Sequence, residues 1–219
     1  MKRDIRQPMP HPDVIVEKRD AVFQGYFQVD RWQLRHRIDG HAWSPPLVRE
    51  VFERGHAVAV LPYDPVKEKI VVIEQFRMGS LAAGRDPWML EIVAGIIEPD
   101  EIADPVAVAA RECWEEIGTE VRDLFEVLTY LPSPGAVSET VTLYCGRVDS
   151  DLLPQAAGNT DEGEYIRILT LSFEEVDAAL AAGRFENSLM LIAAQWLLLN
   201  RKKVQDHWRV PESAPDKQA

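Results

Sequence analysis

The chain has 219 residues, 46% of them hydrophobic, and carries 36 Asp and Glu against 24 Lys and Arg, a formal net charge of -12 at pH 7. Its length and apolar content predict one globular domain with at most a small accessory segment, and no apolar run is long enough to span a bilayer. So acidic a chain should repel polyphosphate backbones, which argues against nonspecific nucleic-acid binding.

Cysteine usage and the amino-terminal composition predict a cytoplasmic protein. Residues 1–13 are polar and proline-rich, without the apolar stretch of a secretory signal peptide. The two cysteines, Cys113 and Cys145, are too few for a disulfide framework and lack the CxxC spacing that holds zinc. An anionic substrate of so acidic a protein would need a local cation, and divalent metal ions held by carboxylates would supply it.

Residues 1–48 are predicted to form a β-rich segment whose first 13 residues are a loose tail. Runs rich in Val, Phe, Tyr and Trp predict three strands, over residues 14–19, 21–30 and 31–38. A break is predicted at Arg19-Asp20 and a closing turn at Asp39-Gly40. The segment is too short for a core of its own, so we expect it to pack on the main domain or on a second subunit.

Residues 49–209 are predicted to form the main domain, and residues 210–219 a flexible tail. Apolar runs predict strands over residues 56–64, 69–77, 88–95, 124–131, 140–148 and 164–171. Helices are predicted over residues 105–117, 172–183 and roughly 188–203. The second helix opens with a capping-box pattern, Ser172 with Glu175. This order of strands and helices indicates an α+β sandwich.

The helix over residues 105–117 carries three glutamates on one face. Glu112, Glu115 and Glu116 are spaced i, i+3 and i+4, where like charges repel, and they lie near the helix end whose dipole disfavours anions. A hard divalent cation such as Mg²⁺ or Mn²⁺ would relieve that repulsion, because it takes oxygen ligands. A solvated acidic face is the alternative interpretation of this helix taken alone.

The sequence around this helix resembles the Nudix box. That pattern is a glycine, five residues, Glu, seven residues, Arg-Glu, an apolar residue, any residue, Glu-Glu, any residue and Gly. Here Gly95 is followed after five residues by Glu101, and the letters RECWEEIG fit from Arg111 to Gly118. Nine residues rather than seven separate Glu101 from Arg111, and we place the two extra residues in the loop before the helix. Either Glu101 or Glu98 then fills the role of the first box glutamate.

Further stretches resemble the ADP-ribose pyrophosphatase branch of the Nudix family, and the likeness extends from about Gly25 to Trp208. Pro134 lies 16 residues after Gly118, a distance associated with this branch. The other matching stretches are residues 49–65, 73–79, 91–99 and 185–197. The resemblance implies a Nudix-type α/β/α sandwich with an N-terminal antiparallel β subdomain. It also implies a homodimer that exchanges this subdomain and hydrolyses ADP-ribose to AMP and ribose 5-phosphate.

The resemblance assigns metal-binding roles to the positions that match the box. Glu112 and Glu116 are implied as the principal carboxylate ligands of Mg²⁺, with Mn²⁺ as the other candidate. Glu115 is implied as a further ligand, and the backbone carbonyl of Ala94 as a contributor. Arg111 is implied to orient a glutamate of the box through a salt bridge.

Substrate-binding candidates lie outside the box. Arg49 and Arg77 occupy matching positions in the family's motifs and could grip the diphosphate or the terminal ribose, since arginine recognises phosphate with paired hydrogen bonds. Tyr26 is a candidate for stacking on adenine, and a core or interface aromatic is the equal alternative.

A general base is expected on the acidic loop around Gly163, whose flexibility suits a loop that closes on substrate. The family match favours Glu162 as the base, with Glu164 second. A solvent-exposed acidic loop without a catalytic role is the alternative interpretation. Glu139 is a weaker candidate in the same neighbourhood, where it would contact substrate.

Three other functions compete with this interpretation. The first is the same chemistry on another nucleotide sugar, such as GDP-mannose. The second is a Nudix module that binds ADP-ribose without cleaving it. The presence of all three glutamates of the box, Glu112, Glu115 and Glu116, argues against this second function. The third is mRNA decapping, which predicts a basic surface that the net charge does not support. We expect no nucleic-acid or membrane partner.

Overall fold

The computed structural model describes residues 10–158 and 163–208. The chain divides into two compact units. The first consists of Met1–Val58, Ile96–Pro105 and Thr129–Thr142, and the second of Ala59–Gly95, Val106–Leu128 and Leu143–Ala219. The domain boundary at residues 48 and 49 stays a prediction, and the tail over residues 210–219 lies outside the described residues.

The first unit contains the amino-terminal antiparallel sheet that the sequence predicts. Its strands are β1 (Val14–Gln24), β2 (Gln28–Ile38), β3 (Ala42–Trp43) and β4 (Leu47–Glu53). Strand β2 pairs antiparallel with each of the other three. Long, alternating runs of Val, Phe and Trp favour such paired extended strands.

The first hairpin turns at a different place from the predicted one. Strand β1 continues through Arg19-Asp20, and the turn lies at Gly25–Phe27, where the Gly25 N–H donates to the Phe27 carbonyl at 2.9 Å. The charged residues at this point do not interrupt β1, because the Arg19 guanidinium pairs with Asp30 on β2 at 2.5 Å. The turn at Asp39-Gly40 is confirmed, and both residues have a positive φ, 51° and 74°.

Within the described residues, a second sheet has eight strands in the order β11-β12-β6-β5-β10-β9, with β7 paired to β6 and β8 to β5. Its strands are β5 (His56–Asp64), β6 (Lys69–Phe76), β7 (Trp88–Glu91), β8 (Val93–Ile97), β9 (Arg122–Tyr130), β10 (Val141–Arg147), β11 (Ala156–Ala157) and β12 (Ile166–Ser172). The single strand predicted over residues 88–95 is wrong, because the chain changes partner at Ile92 and leaves β6 to pair with β5.

The part of the chain that the structure describes also contains four α-helices: α1 (Met78–Ala82), α2 (Pro105–Ile117), α3 (Phe173–Ala181) and α4 (Ser188–His207). Helix α2 has the predicted bounds and ends at Gly118, whose φ is 63°. Both halves of the predicted capping box of α3, Ser172 with Glu175, are formed. Helix α4 is four residues longer than predicted. The α+β class is confirmed.

The core centres on β5 and β6, where residues 59–61 and 70–73 are at most 1% exposed. Their continuous burial, without the alternation of a half-exposed strand, means that both faces of the sheet are covered here. Among the described residues, no helix combines the length and apolar character needed to cross a membrane.

Candidate functional site

The glycine that begins the box lies directly against the first carboxylate of α2. A methyl group added at Gly95 would lie 1.9 Å from Cδ and 2.0 Å from Oε1 of Glu112. Only a residue without a side chain leaves this space to the carboxylate. The glycine at this position therefore has a steric cause: the strand bearing Gly95 supplies the surface on which Glu112 rests.

Glu116 is the most deeply buried glutamate of α2, with 5% of its surface exposed. Its Oε2 accepts a hydrogen bond from the Ala94 N–H at 3.1 Å. Burial above all, together with the charges of Glu112 and Glu164, raises the pKa of Glu116 to about 8 against the opposing effects of the Ala94 N–H and Arg77. The hydrogen bond from Ala94 and the positive charge of Arg77 therefore do not offset the burial of this carboxylate.

Glu112 and Glu115 share a cation, the guanidinium of Arg111. Its Nη2 lies 3.0 Å from Glu112 Oε1, and its Nη1 donates to Glu115 Oε2 at 2.8 Å. Burial raises the pKa of Glu112, and the charge of Arg111 opposes that rise. Arg111 thus holds two glutamates of α2 in position, which is the kind of contact that the resemblance implies for it.

The donors on α2 fit a hard divalent cation by their chemistry. Glu112 is half-buried and Glu116 is buried, both carboxyls have raised pKa values, and bringing a dication to them would restore the charged forms that burial disfavours. The side chains do not converge in advance. Within residues 10–158 and 163–208, no three His, Cys, Asp or Glu side chains form a group that could hold a metal ion.

Arg77 adds a positive charge to the same unit. Its Nε and Nη2 both donate to Oε2 of Glu91, at 3.0 and 2.7 Å. Burial opposes its charge, but the hydrogen bonds and charge of Glu91, together with Glu116 and Glu164, raise the pKa of Arg77. The guanidinium therefore lies within electrostatic reach of the box carboxylates.

The acidic loop contributes Glu164, a half-buried residue whose charge acts on Glu112, Glu116 and Arg77. Glu162, the residue predicted to be the base, lies outside the described residues. The structure therefore groups Glu164 electrostatically with the glutamates of α2 and with Arg77.

The other predicted substrate residues belong to the first unit. Tyr26 lies at the hairpin turn and is 88% exposed, with its ring 4.7 Å from that of Phe27. Arg49 is an exposed residue of β4, and Glu139 is buried. Burial raises the pKa of Glu139, and Arg54, whose Nε lies 3.4 Å from Glu139 Oε1, opposes the rise.

The first unit also holds a cavity of about 480 Å³ that the sequence did not predict. Among its lining residues are Tyr26, Phe27, Trp32, Glu53, Arg54 and His56. The Arg19 guanidinium carbon stands 4.4 Å from the centre of the Trp32 ring, and Nη2 of Arg19 pairs with Glu53 at 3.2 Å. Lining residues that come from the hairpin turn and from several strands carry no local signal that they will line one cavity.

The two-residue extension of the box is a compact turn. Oε2 of Glu101 accepts from the Glu98 N–H at 3.1 Å, and the Glu101 N–H donates to the Glu98 carbonyl at 2.9 Å. Asp104 N–H in turn donates to the Glu101 carbonyl at 2.9 Å. The extra residues are absorbed before Pro105, so α2 keeps its length. Which of Glu98 and Glu101 serves as the first box glutamate stays a prediction.

Comparisons with known proteins show which proteins this chain is similar to. A family model described as "NUDIX domain" matches residues 53–191, more than half of the chain. The chain is 38% identical to an ADP-ribose pyrophosphatase of Escherichia coli (strain K12) over 196 residues, 90% of this chain and 93% of that one. A GDP-mannose pyrophosphatase of Klebsiella pneumoniae is 31% identical over 150 residues, 68% and 74% of the two chains.

Among solved structures, the fold is similar to one described as an ADP compounds hydrolase. The TM-score is 0.67 at 18% identity, and the match covers 93% of this chain and 100% of the other. At this identity the likeness supports the fold alone.

Proposed function

This chain belongs to the Nudix family, and we propose that it hydrolyses the diphosphate bond of ADP-ribose with a divalent metal ion, giving AMP and ribose 5-phosphate. The observation that carries the proposal is the pair of carboxylates on α2, the half-buried Glu112 resting on Gly95 and the buried Glu116 bonded to Ala94. The similarity to ADP-ribose pyrophosphatases over nine tenths of the chain supports the choice of substrate.

Glu112 and Glu116 would hold the metal, with Glu115 and the carbonyl of Ala94 as further ligands. Mg²⁺ is the proposed ion, and Mn²⁺ is the other candidate, because both prefer oxygen ligands. When bound, such an ion neutralises negative charge on the diphosphate. Arg111, paired with Glu112 and Glu115, keeps their carboxylates oriented before the ion arrives.

The remaining roles are assigned to residues outside α2. Arg77 would bind the diphosphate with the guanidinium edge that Glu91 leaves available. Arg49 would bind the diphosphate or terminal ribose, Tyr26 would stack on the base, and Glu139 would contact the substrate.

A carboxylate of the acidic loop would take the proton of the attacking water. Metal-ligating carboxylates are poor proton acceptors because their lone pairs already serve the cation. Glu162 is the proposed base, and Glu164, whose charge acts on Glu112 and Glu116, is the second candidate.

We propose a homodimer in the cytoplasm as the active form. Apolar side chains are exposed along the amino-terminal sheet, at Val14, Ile15, Val16, Val22, Phe23, Ile38 and Val48. A second copy of this chain would cover them. The free and buried thiols of Cys113 and Cys145 support a reducing compartment. Sedimentation of the protein at micromolar concentration should give the dimer mass, and a monomer that is fully active would contradict the proposal.

A substrate panel tests the activity. The wild-type protein is incubated with Mg²⁺ and either ADP-ribose or GDP-mannose, and the products are identified by mass spectrometry. We expect AMP and ribose 5-phosphate from ADP-ribose, and a much slower reaction with GDP-mannose. Preference for GDP-mannose would favour the alternative that some relatives suggest by name. Tight binding of ADP-ribose without any product would favour a non-catalytic sensor.

A further inference from the structure

Glu91, the last residue of β7, is a buried carboxylate that lies outside the glutamate cluster of α2. Strand β7 pairs antiparallel with β6 so that Glu91 stands opposite Ile73. Side chains two residues apart on a strand share a face, which brings Gln75 and then Arg77 to the side on which Glu91 lies. Three N–H donors meet at one oxygen of Glu91. Gln75 Nε2 donates to Oε2 of Glu91 at 3.2 Å, and Nε and Nη2 of Arg77 donate to the same oxygen.

The two bonds from Arg77 fix the plane and the direction of its guanidinium. Nε and Nη2 meet the same oxygen, so one edge of the group is committed to Glu91. The Nη1 donors lie away from that edge, and the side chain is 41% exposed. The backbone is held as well, because the Arg77 N–H donates to the Pro87 carbonyl at 2.7 Å. A guanidinium anchored on one edge recognises a phosphate with the donors that remain.

Arg77 has competing negative charges nearby, since Glu116 and Glu164 both act on it. A guanidinium released from Glu91 would be attracted to these carboxylates, and it would then neutralise groups that the proposed metal ion needs. Glu91 therefore separates the arginine from the glutamates and keeps its free donors for a substrate.

We propose that Glu91 is a positioning residue, which holds Arg77 so that its Nη1 donors face a phosphate of the bound nucleoside diphosphate. The inference rests on the proposed function, in which Arg77 binds the diphosphate. A preorganised arginine loses little side-chain freedom on binding, so removal of its anchor weakens the affinity for substrate more than it slows the chemical step.

The chain offers a matched control in the pair Arg85 and Glu186. Arg85 also directs Nε and Nη2 at one oxygen of its partner, at 3.0 and 2.8 Å. This pair is exposed, with 62% and 35% of the two side chains accessible, whereas Glu91 is buried. Glu186→Gln thus removes the same type of ion pair from the same unit and leaves the hydrogen bonds between Arg77 and Glu91 in place.

The experiment compares wild type, Glu91→Gln, Arg77→Ala, the double variant and Glu186→Gln. Kinetics of ADP-ribose hydrolysis are measured at saturating Mg²⁺, and the Kd for ADP-ribose is measured by calorimetry. We expect Glu91→Gln to raise KM and Kd about tenfold with kcat changed by roughly twofold at most. In the Arg77→Ala background the same substitution should change neither constant by more than about twofold. Glu186→Gln should behave as wild type.

Several outcomes would overturn the inference and leave the proposed function standing. One is a Glu91→Gln effect of equal size with and without Arg77, since Glu91 would then act through the fold. Another is an Arg77→Ala variant with unchanged KM. If Glu91→Gln does not fold, Glu91→Asp keeps the charge and shortens the side chain. It should raise Kd to a smaller extent, and an unchanged Kd would refute the role.

Failure of the proposed function would look different. Wild-type protein that binds ADP-ribose without cleaving it refutes the hydrolase, and the Kd values of the same variants still decide the role of Glu91. Wild-type protein that neither binds nor cleaves ADP-ribose refutes both.

Discussion

Replacement of Glu116 by Gln should have opposite effects on activity and on the free energy of unfolding. Gln keeps the size of the side chain and an oxygen that accepts the Ala94 N–H bond. It removes the buried carboxyl group of Glu116, whose pKa is about 8 instead of the ordinary 4.5. We therefore expect the variant to lose activity by orders of magnitude and, without metal, to be more stable than wild type above neutral pH.

The size of this stabilisation follows from the pKa. Because the folded-state pKa is raised, the folded protein binds the proton more tightly, so full stability is present below the unfolded value of 4.5 and is lost as pH rises through about 8. A rise of this size corresponds to roughly 5 kcal/mol of folding free energy above pH 8, at about 1.4 kcal/mol per pH unit. The window from pH 4.5 to 8 should therefore show the whole effect.

Denaturant unfolding in the presence of a chelator measures the difference in folding free energy between wild type and Glu116→Gln. Wild type should lose stability relative to Glu116→Gln as the pH rises from 5 to 8, and addition of Mg²⁺ at pH 8 should stabilise wild type far more than the variant. Glu126→Gln, the same change at an exposed residue of β9, is the control for removal of a carboxylate as such.

Parallel pH profiles for wild type and Glu116→Gln in chelator would refute the electrostatic reasoning. Near-normal turnover by the variant would refute the metal assignment itself, since the acidic face of α2 would then serve no cation.

The remaining predictions concern the box glycine, the base and a helix cap. Gly95→Ala should cost at most about 2 kcal/mol of stability, since a flexible carboxylate end can move away, but should lower kcat/KM about a hundredfold or more by displacing a metal ligand. Gly79→Ala, whose added Cβ meets nothing within 4 Å, is the control, and equal activities of the two would refute the steric argument. Glu162→Gln should lower kcat strongly at saturating Mg²⁺ and leave Kd nearly unchanged, and a larger loss in Glu164→Gln would move the base to that residue. Ser172→Ala should lower the free energy of unfolding by about 1 kcal/mol with kcat intact, and an unchanged unfolding midpoint would contradict the capping box as a stabilising contact.

Local rules determined the parts of the site that lie within one element. Helix α2 has its predicted bounds because Pro105 begins it and Gly118 ends it through neighbours in the chain. The glutamates share a face because the period of a helix is fixed. The capping box of α3 could be predicted as well, because Ser172 and Glu175 are close in the sequence.

Tertiary structure decided which charges are buried and which residues they meet. Nothing near Glu116 in the sequence indicates that it is far more buried than Glu115, since both lie on the same helix face. The split at Ile92 and the pairing of Glu91 with Arg77 depend on which strand each segment meets, and 14 residues separate these two partners. Burial and ion pairing are set by distant parts of the chain, so only the packed structure shows that Gly95 makes room for Glu112 and that Glu91 holds Arg77.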